Sequence, residues 1–138
     1  PKIIIVDEPT DGLDPEERNR FNNLLSEIGE NIIVILSTHL VEDVRNLCTQ
    51  MAIINKGKLL LCGSPEQFIA EINGKVWKKQ INKNELGEYQ NRHQIISTQL
   101  QAGKLNLKIF ADADPQNGFI QSEADLEDVY FVTLQKLK

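Results

Sequence analysis

The sequence predicts a mixed α/β protein built on a parallel sheet, and two observations lead to that prediction. In the first half, short β-branched runs alternate with segments whose apolar residues recur at helical spacing. Strands that follow one another through a helix form a parallel sheet with right-handed crossovers. In the second half, strand-like runs alternate apolar and polar residues, as in a sheet with one face in solvent. We therefore expect two parts, residues 1–74 and residues 75–138, with a boundary near Gly74.

The first half follows the order strand, helix, strand, helix. A β-branched run from Lys2 to Val6 predicts a strand buried on both faces, and Asn31 to Ser37 predicts a second one. Asp14 is placed to cap the helix between them, and Pro15 suits its first position. Gly29 can end that helix. The apolar faces of the two helices are expected to consist of Phe21, Leu24, Leu25 and Ile28, and of Leu40, Val41, Val44, Leu47 and Cys48.

A hairpin and a short helix come next. Two apolar runs, Met51 to Ile54 and Lys58 to Cys62, are joined by the turn at residues 55–57, which ends in glycine. Ser64 is placed to cap the following helix, and Gln67 would complete a capping box with it. We expect this segment to belong with the first part of the chain.

The second half predicts a small α/β accessory or regulatory subdomain. Val76 to Ile81, Gln94 to Leu100 and Lys104 to Phe110 have the pattern of strands, and residues 111–118 that of a polar loop. Asp125 can cap a final helix. The third strand alternates strictly, and its apolar face consists of Leu105, Leu107 and Ile109.

Two consecutive carboxylates, Asp7 and Glu8, follow the first predicted strand, and His39 follows the second. The carboxyl ends of parallel strands meet at one edge of a sheet, where ligands bind in open α/β folds. Neighbouring strand residues point in opposite directions, so one carboxylate can hold a metal while the other faces an attacking water. Phosphoryl transfer needs both roles, a divalent cation and a group that orients the nucleophile. The alternative is that both acids merely end a strand in solvent and that the histidine is structural.

Several motifs resemble those of ATP-binding-cassette (ABC) proteins. Ile3–Glu8 is similar to their Walker B strand, Gly12–Pro15 to their D-loop, and Ser37–His39 to their switch-histidine loop. Met51–Phe68 resembles the strand pair and helix that come next in this family. The tail Asp125–Phe131 resembles the carboxy-terminal helix of exporter-type cassettes of the drug and antibiotic efflux kind. The resemblance implies the carboxy-terminal part of a P-loop NTPase sheet, beginning at the Walker B strand and followed by a small appendage.

The resemblance also implies a role for each matching side chain. Asp7 would bind Mg²⁺ through water, Glu8 would be the general base for the water that attacks the γ-phosphate of ATP, and His39 would hydrogen-bond that phosphate. ATP and Mg²⁺ are the implied cofactors of the intact protein. A second ATPase subunit would pair with it head to tail, with two ATP molecules sandwiched between them. The residues implied at that dimer interface are Gly12, Leu13 and Asp14.

The motifs that hold the phosphates in this family are missing from the 138 residues. The Gly-rich Walker A loop with its lysine, the glutamine loop and the signature sequence all precede the Walker B strand. The lysine and the backbone N–H groups of that loop cradle the phosphates. We therefore expect negligible ATP affinity and no turnover for this chain alone, which begins at Pro1 and is expected to be truncated. A strand from Lys2 to Val6 that has lost its neighbours would be exposed, so we also expect self-association.

The resemblance implies the ATP-hydrolysing subunit of an exporter, with a transmembrane permease on a separate chain. Such a subunit would lie in the cytoplasm, peripheral at the inner face of the cell membrane. Two alternatives stay open: a non-transport cassette ATPase acting in translation or repair, and a stand-alone regulatory or binding fragment. A Gly-rich loop upstream in the same reading frame, and an adjoining permease gene, would separate the three hypotheses.

Charge and hydropathy argue against other classes of protein. The net charge is −5, and all of it lies in the first half of the chain, which argues against a general nucleic-acid surface. Trp77 with Lys75, Lys78 and Lys79 could form a small basic patch, but a solvated strand face is the simpler interpretation. His93 matches no motif and is expected at the surface. No apolar run approaches the roughly 20 residues of a membrane helix, and the sequence shows no export leader.

Overall fold

Two strands and two helices make up the first of two units into which the chain divides after Met51. The structure is a computed structural model, and it describes residues 2–136. The elements of the first unit are β1 (Ile3–Asp7), α1 (Pro15–Gly29), β2 (Ile33–Ser37) and α2 (Val41–Leu47). β1 and β2 pair in parallel, from Ile3 opposite Ile33 to Asp7 opposite Ser37. The predicted order of strands and helices is confirmed here.

The local sequence fixes the start of α1. The Asp14 carboxylate accepts a hydrogen bond from the backbone N–H of Glu17 at 2.8 Å, and the Glu17 carboxylate accepts one from the backbone N–H of Asp14 at 3.3 Å. This reciprocal capping box satisfies N–H groups that a helix leaves unpaired at its start. The predicted capping role of Asp14 is therefore confirmed. The predicted apolar face is only partly right, because Leu25 is buried whereas Leu24 is 51% exposed.

One face of the β1–β2 sheet carries exposed isoleucines. Ile3 and Ile5 are each more than half exposed, and so are their register partners Ile33 and Ile35. The prediction that this strand is buried on both faces is wrong within residues 2–51, because one partner strand and two helices are too few to cover both faces of the sheet. A contiguous apolar surface of this kind favours association.

The second unit joins a hairpin and a helix to an antiparallel sheet. In chain order its elements are β3 (Met51–Asn55), β4 (Lys58–Gly63), α3 (Pro65–Ile72), β5 (Val76–Ile81), a 3-10 turn (Lys83–Glu85), α4 (Leu86–Arg92), β6 (Gln94–Gln101), β7 (Lys104–Phe110), β8 (Ile120–Gln121) and α5 (Leu126–Gln135). The sheet has the strand order β6–β7–β5–β8, with antiparallel neighbours. Asp125 caps α5 as predicted, again through a capping box.

Apolar side chains pack on both faces of this antiparallel sheet. The cluster on one face consists of Ile81, Tyr89, Leu105, Leu107, Ile109 and Phe119. The cluster on the other face consists of Val76, Ile96, Ala124 and Val132, with Ile69, Ile72, Phe110 and Phe131 packed against them. The predicted burial of the alternating face of β7 is confirmed. The prediction that the opposite face lies in solvent is only partly right: Lys104 is exposed there, but α3 and α5 pack on another part of that face.

Some elements of the second unit have no counterpart in the sequence prediction, namely the 3-10 turn, α4 and β8. Ser64 precedes α3 as expected, but its hydroxyl donates to the Glu66 carboxylate at 3.1 Å and makes no capping bond. The predicted capping box with Gln67 is therefore wrong. A neighbouring carboxylate competes successfully for the hydroxyl that would otherwise cap the helix.

The division after Met51 falls earlier than the boundary predicted near Gly74. Residues 52–74 pack with the residues that follow them, for example through α3 against α5. The assignment of residues 1–74 and 75–138 to two functional parts stays a prediction. Among residues 2–136, no helix combines the length and the apolar character that crossing a membrane requires.

Candidate functional site

The carboxyl ends of β1 and β2 lie side by side and bring the predicted site residues together. Asp7 and Ser37 are register partners, and Ser37 Oγ donates a hydrogen bond to Asp7 Oδ1. The backbone N–H of Glu8 donates to the Ser37 carbonyl oxygen at 2.8 Å, which extends the ladder one residue beyond β1. The prediction that the two strands are parallel neighbours is confirmed. We call this end of the sheet, with Asp7, Glu8, Ser37 and His39, the carboxyl rim.

Glu8 and His39 form a hydrogen-bonded pair at the carboxyl rim. His39 Nδ1 lies 2.8 Å from Glu8 Oε2. An ionised carboxylate can only accept hydrogen bonds, so Nδ1 carries the proton in this pair. The Glu8 side chain is 35% exposed and the His39 side chain 66% exposed, so solvent and solutes can reach both. The two residues that sequence analysis selected for catalysis are therefore in direct contact.

The pair raises the pKa of His39 above the ordinary value for histidine. The hydrogen bond to Glu8 is the largest cause, and the negative charge of Glu8 is the next. Desolvation opposes the rise, and the charge of Asp11 adds to it. Because both main causes favour the charged ring, the imidazolium persists to higher pH than in an isolated histidine.

The backbone of Glu8 adopts a conformation that is unusual for a residue with a side chain. Its φ of 47° lies in the left-handed region, which non-glycine residues enter rarely. Such a conformation costs about 1–3 kcal/mol and is found mainly at functional sites. Here it turns the chain out of β1, so that Asp7 contacts Ser37 while the next side chain contacts His39. The two acids are thereby free to serve different purposes.

Tight turns lead from Glu8 into α1. The backbone N–H of Asp11 donates to the Glu8 carbonyl oxygen, and that of Leu13 to the Thr10 carbonyl oxygen, both at 3.2 Å. Gly12 has a φ of 83°, which glycine adopts without steric cost. The residues predicted at a dimer interface are the exposed Gly12, Leu13 and Asp14. The capping of α1 accounts for the last of these, and the interface role of all three stays a prediction.

The carboxyl rim offers too few ligands to hold Mg²⁺ by itself. It fits a magnesium site at which phosphates and water supply the other ligands. Mg²⁺ keeps several waters and is usually held by one or two carboxylates together with substrate phosphates. Asp7 offers one carboxylate, and the Ser37 hydroxyl lies beside it. In the part of the chain that the structure describes, no three His, Cys, Asp or Glu side chains are grouped to hold a metal ion. Asp7 therefore suits an ion that also binds nucleotide phosphates, and its role through water stays a prediction.

A buried polar cluster lies behind the rim, and sequence analysis did not identify it. The Asp43 carboxylate of α2 accepts from Thr10 Oγ1 at 2.6 Å, from Arg18 Nε and Nη2 at 3.0 and 2.8 Å, and from Asn22 Nδ2 at 3.3 Å. Asp43 is only 1% exposed and Thr10 only 3%. We call these four residues the Asp43 cluster.

The pKa of Asp43 reflects two opposed influences. Burial is the largest single influence and acts to raise it, but the hydrogen bonds from Thr10, Arg18 and Asn22, with the positive charge of Arg18, together outweigh burial and lower the pKa. Asp43 is therefore ionised at neutral pH. The sequence held a signal for this cluster, because Leu40, Val44 and Leu47 share a helical face with Asp43. A carboxylate on an apolar face needs buried partners.

Side chains of the candidate basic patch are engaged within the second unit. Trp77 Nε1 donates to the Ala111 carbonyl oxygen at 3.1 Å. Lys79 Nζ donates to the Tyr89 hydroxyl and to the Asn117 carbonyl oxygen, both at 2.6 Å. These contacts favour a structural interpretation of Trp77 and Lys79.

His93 is half-buried rather than at the surface, so that expectation is wrong. Its ring centroid lies 5.2 Å from that of Phe119 and 6.0 Å from that of Tyr89. The unpredicted helix α4 supplies Tyr89 and thereby creates this aromatic environment. We assign His93 no functional role.

The protein is mixed α/β, and polar side chains lie together at the carboxyl ends of two parallel strands. Curated proteins with similar sequences are ATP-binding proteins of transporters. The energy-coupling factor transporter ATP-binding protein EcfA2 of Clostridium tetani (strain Massachusetts / E88) is 37% identical over 75 residues, which are 53% of this chain and 26% of that protein. EcfA2 of Streptococcus pyogenes serotype M5 (strain Manfredo) is 33% identical over 82 residues, which are 59% of this chain and 29% of that protein.

The similarity therefore has a limited extent. The chain spans less than a third of the length of these curated relatives. No model of a known protein family matches the sequence. The relatives are ATP-binding proteins of transporters, which agrees with the resemblance noted from the motifs. Their names refer to energy-coupling factor transporters and give no support to the drug-efflux type.

Proposed function

We propose that this chain supplies the catalytic, carboxy-terminal part of an ATP-hydrolysing subunit of an ABC transporter. The observation that supports the proposal most is the contact between Glu8 and His39 at the carboxyl rim, with Asp7 beside them. Acids at the end of one of two adjacent parallel strands can supply the metal-binding group and the water-orienting group that phosphoryl transfer uses. The similarity to transporter ATP-binding proteins supports the same proposal.

In the proposed reaction, Glu8 orients the attacking water and accepts its proton. The Glu8 carboxylate is partly exposed, so a water molecule can reach it, as a general base requires. His39 Nδ1 is engaged by Glu8. The histidine must therefore meet a γ-phosphate either through Nε2 or by leaving the pair. The second route would free Glu8 for water at the moment when the phosphate is present.

Asp7 is the proposed magnesium-binding residue, with Ser37 as its neighbour. Bound Mg²⁺ would neutralise charge on the phosphates. The Ser37 hydroxyl donates to Asp7 Oδ1. This hydrogen bond holds the carboxylate at the rim.

The residues that would cradle the phosphates are absent from these 138 residues, which contain no Gly-rich loop with a lysine. We therefore propose that the chain by itself has negligible affinity for ATP and no turnover. We also propose that, when isolated, it self-associates through the exposed isoleucine face of the β1–β2 sheet. In a complete protein, that face would be available for neighbouring strands and helices.

The proposed partners are a second ATPase subunit, through the loop of Gly12, Leu13 and Asp14, and a transmembrane permease that would hold the subunit at the cytoplasmic face of the membrane. Export was expected from the tail Asp125–Phe131. The relatives are named for energy-coupling factor transporters. We therefore propose coupling of ATP hydrolysis to transport and assign no direction to it.

The test uses the full-length product of the reading frame that contains these residues, called the parent protein below. Glu8→Gln should lower ATP hydrolysis by about a hundredfold or more, the usual contribution of general acid–base catalysis, while ATP binding is retained. Glu27→Gln is the matched control, because Glu27 is an exposed carboxylate of α1 away from the rim, and its rate should equal that of the parent. Unchanged hydrolysis in Glu8→Gln would remove Glu8 as the base, and no hydrolysis in the parent would remove the proposed function.

A further inference from the structure

We propose that Asp43 is a positioning residue, whose buried carboxylate ties the loop after Glu8 to the helix after His39 and so maintains the contact between those two side chains. Its consequence for catalysis rests on the proposed function. Its consequence for the geometry of the carboxyl rim does not, and the two can be tested separately.

The contacts of the Asp43 cluster join each segment that carries a candidate site residue. Thr10 lies two residues after Glu8, and its hydroxyl donates to Asp43 Oδ2 at 2.6 Å. Asp43 itself lies four residues after His39, in the first turn of α2. Arg18 donates twice to Asp43 Oδ1, at 3.0 and 2.8 Å, from α1. One carboxylate of α2 therefore connects the loop after β1 with α1, the helix between the two strands, and with α2 itself, which follows His39.

Polar groups make up most of the fully buried side chains of the first unit. Within residues 2–51, the buried side chains are Leu25, Thr10 and Asp43. Two of the three therefore belong to the polar cluster, and only one is apolar. Asn22, which donates to Asp43 at 3.3 Å, also has a buried carbonyl oxygen without a partner. A buried network of this kind is specific in geometry, because a displaced member leaves charged and polar groups unpaired.

The charge of the Asp43 cluster is balanced locally. Arg18 is the paired cation, and it also lies 4.0 Å from Glu42, whose side chain is exposed. Thr10 contributes a neutral hydroxyl, so its removal breaks the bond between the loop after β1 and α2 without changing any charge near the rim. That property makes Thr10 the best position for a test.

The primary test compares Thr10→Val with Thr10→Ser in the 138-residue chain. Valine has nearly the shape of threonine and cannot donate to Asp43, whereas serine can. The measurement is the titration of His39 followed by NMR, with His93 as an internal reference. Thr10→Val should shift the pKa of His39 toward the ordinary value of about 6.5, because the pair with Glu8 is loosened. Thr10→Ser should restore the wild-type titration.

Two outcomes would overturn the proposal. One is a folded Thr10→Val chain whose His39 titrates as in wild type. The other outcome concerns a second variant, Arg18→Lys, which is used if Thr10→Val does not fold. Lysine keeps the positive charge and loses the two-pronged contact with Asp43. A His39 titration unchanged in Arg18→Lys would equally contradict the positioning role. Glu8 and Asp11 are the acidic groups that act on the ring, and both are untouched in these variants.

The effect of Asp43 on ATP hydrolysis is tested in the full-length parent protein. Thr10→Val should lower kcat between about tenfold and a hundredfold, as for a misplaced catalytic group, with little change in the affinity for ATP. Thr10→Ser should recover most of kcat. If the parent hydrolyses ATP and Thr10→Val leaves kcat unchanged, the positioning role fails while the proposed function stands. If the parent does not hydrolyse ATP, the proposed function fails, and the His39 titration still decides the geometry.

Discussion

The two units of the chain are stabilised in different ways. In the first, within residues 2–51, Leu25 is the buried apolar residue, and the buried Thr10 and Asp43 belong to a polar cluster. In the second, apolar side chains from three strands and three helices form clusters on both faces of a sheet. The candidate catalytic residues belong to the first unit. Their geometry therefore depends on directed hydrogen bonds more than on packing, whereas the second unit has a core of its own.

The largest expected effect is the loss of unfolding free energy when a buried leucine is replaced by alanine. Leu107 is fully buried in the second unit, so Leu107→Ala should cost about 3 kcal/mol of unfolding free energy, within the usual range for such changes. Leu25→Ala in the first unit should cost less, because its surroundings are more open and can relax around the smaller side chain. Hydrogen exchange of the amides in each unit measures both free energies.

Leu100→Ala is the control for these variants, since Leu100 is more than half exposed in the second unit. Its effect should stay within about 0.5 kcal/mol, as for other surface changes. If Leu25→Ala proved as costly as Leu107→Ala, the first unit would have a better packed core than the structure shows, and the contrast between the units would be lost.

Lowering the pH is expected to have a smaller effect on the stability of the two units. The pKa of Asp43 is lowered in the folded state, so the stability that it contributes is present above the ordinary aspartate pKa and is lost as the pH falls through its own lower pKa. The pKa of Asp128 in the second unit is raised, chiefly by burial. Its contribution is therefore present below the ordinary pKa and is lost as the pH rises through the raised value.

Acid should consequently destabilise the first unit more than the second. Amide exchange of α1 and α5, measured at pH 3 to 6, compares the two. Asp43→Asn should reduce the acid sensitivity of the first unit, and Asp128→Asn should do the opposite in the second. Equal loss of protection in both units over this range would contradict the assigned pKa directions.

Local signals allowed much of the fold to be predicted. The β-branched runs predicted the strands of the first unit, and Asp14 and Asp125 predicted helix starts because a capping box involves only neighbouring residues. The features that the sequence did not predict depend on contacts between distant parts of the chain. α4 has few apolar residues and is held mainly by Tyr89 in the core. The second face of the antiparallel sheet is covered by helices from distant parts of the sequence.

The candidate site shows the same division between local and tertiary information. Asp7, Glu8 and His39 could be predicted, because adjacent parallel strands bring their ends together whatever the details of packing. The direct contact between Glu8 and His39 accompanies the left-handed backbone of Glu8, which no local pattern in the sequence predicts. The Asp43 cluster depends on the placement of α1 against α2, which a single sequence does not specify.

The most direct test of this account is the titration of His39 in the 138-residue chain and in its Glu8→Gln variant, followed by NMR. If Glu8 and His39 are paired at the carboxyl rim, the wild-type pKa lies above the ordinary value of about 6.5, and Glu8→Gln brings it down to that value. The stabilisation from the pair is then present below the ordinary pKa and is lost as the pH rises through the raised one. An ordinary His39 pKa in both proteins would contradict the pairing, and with it the observation on which the proposed function depends most.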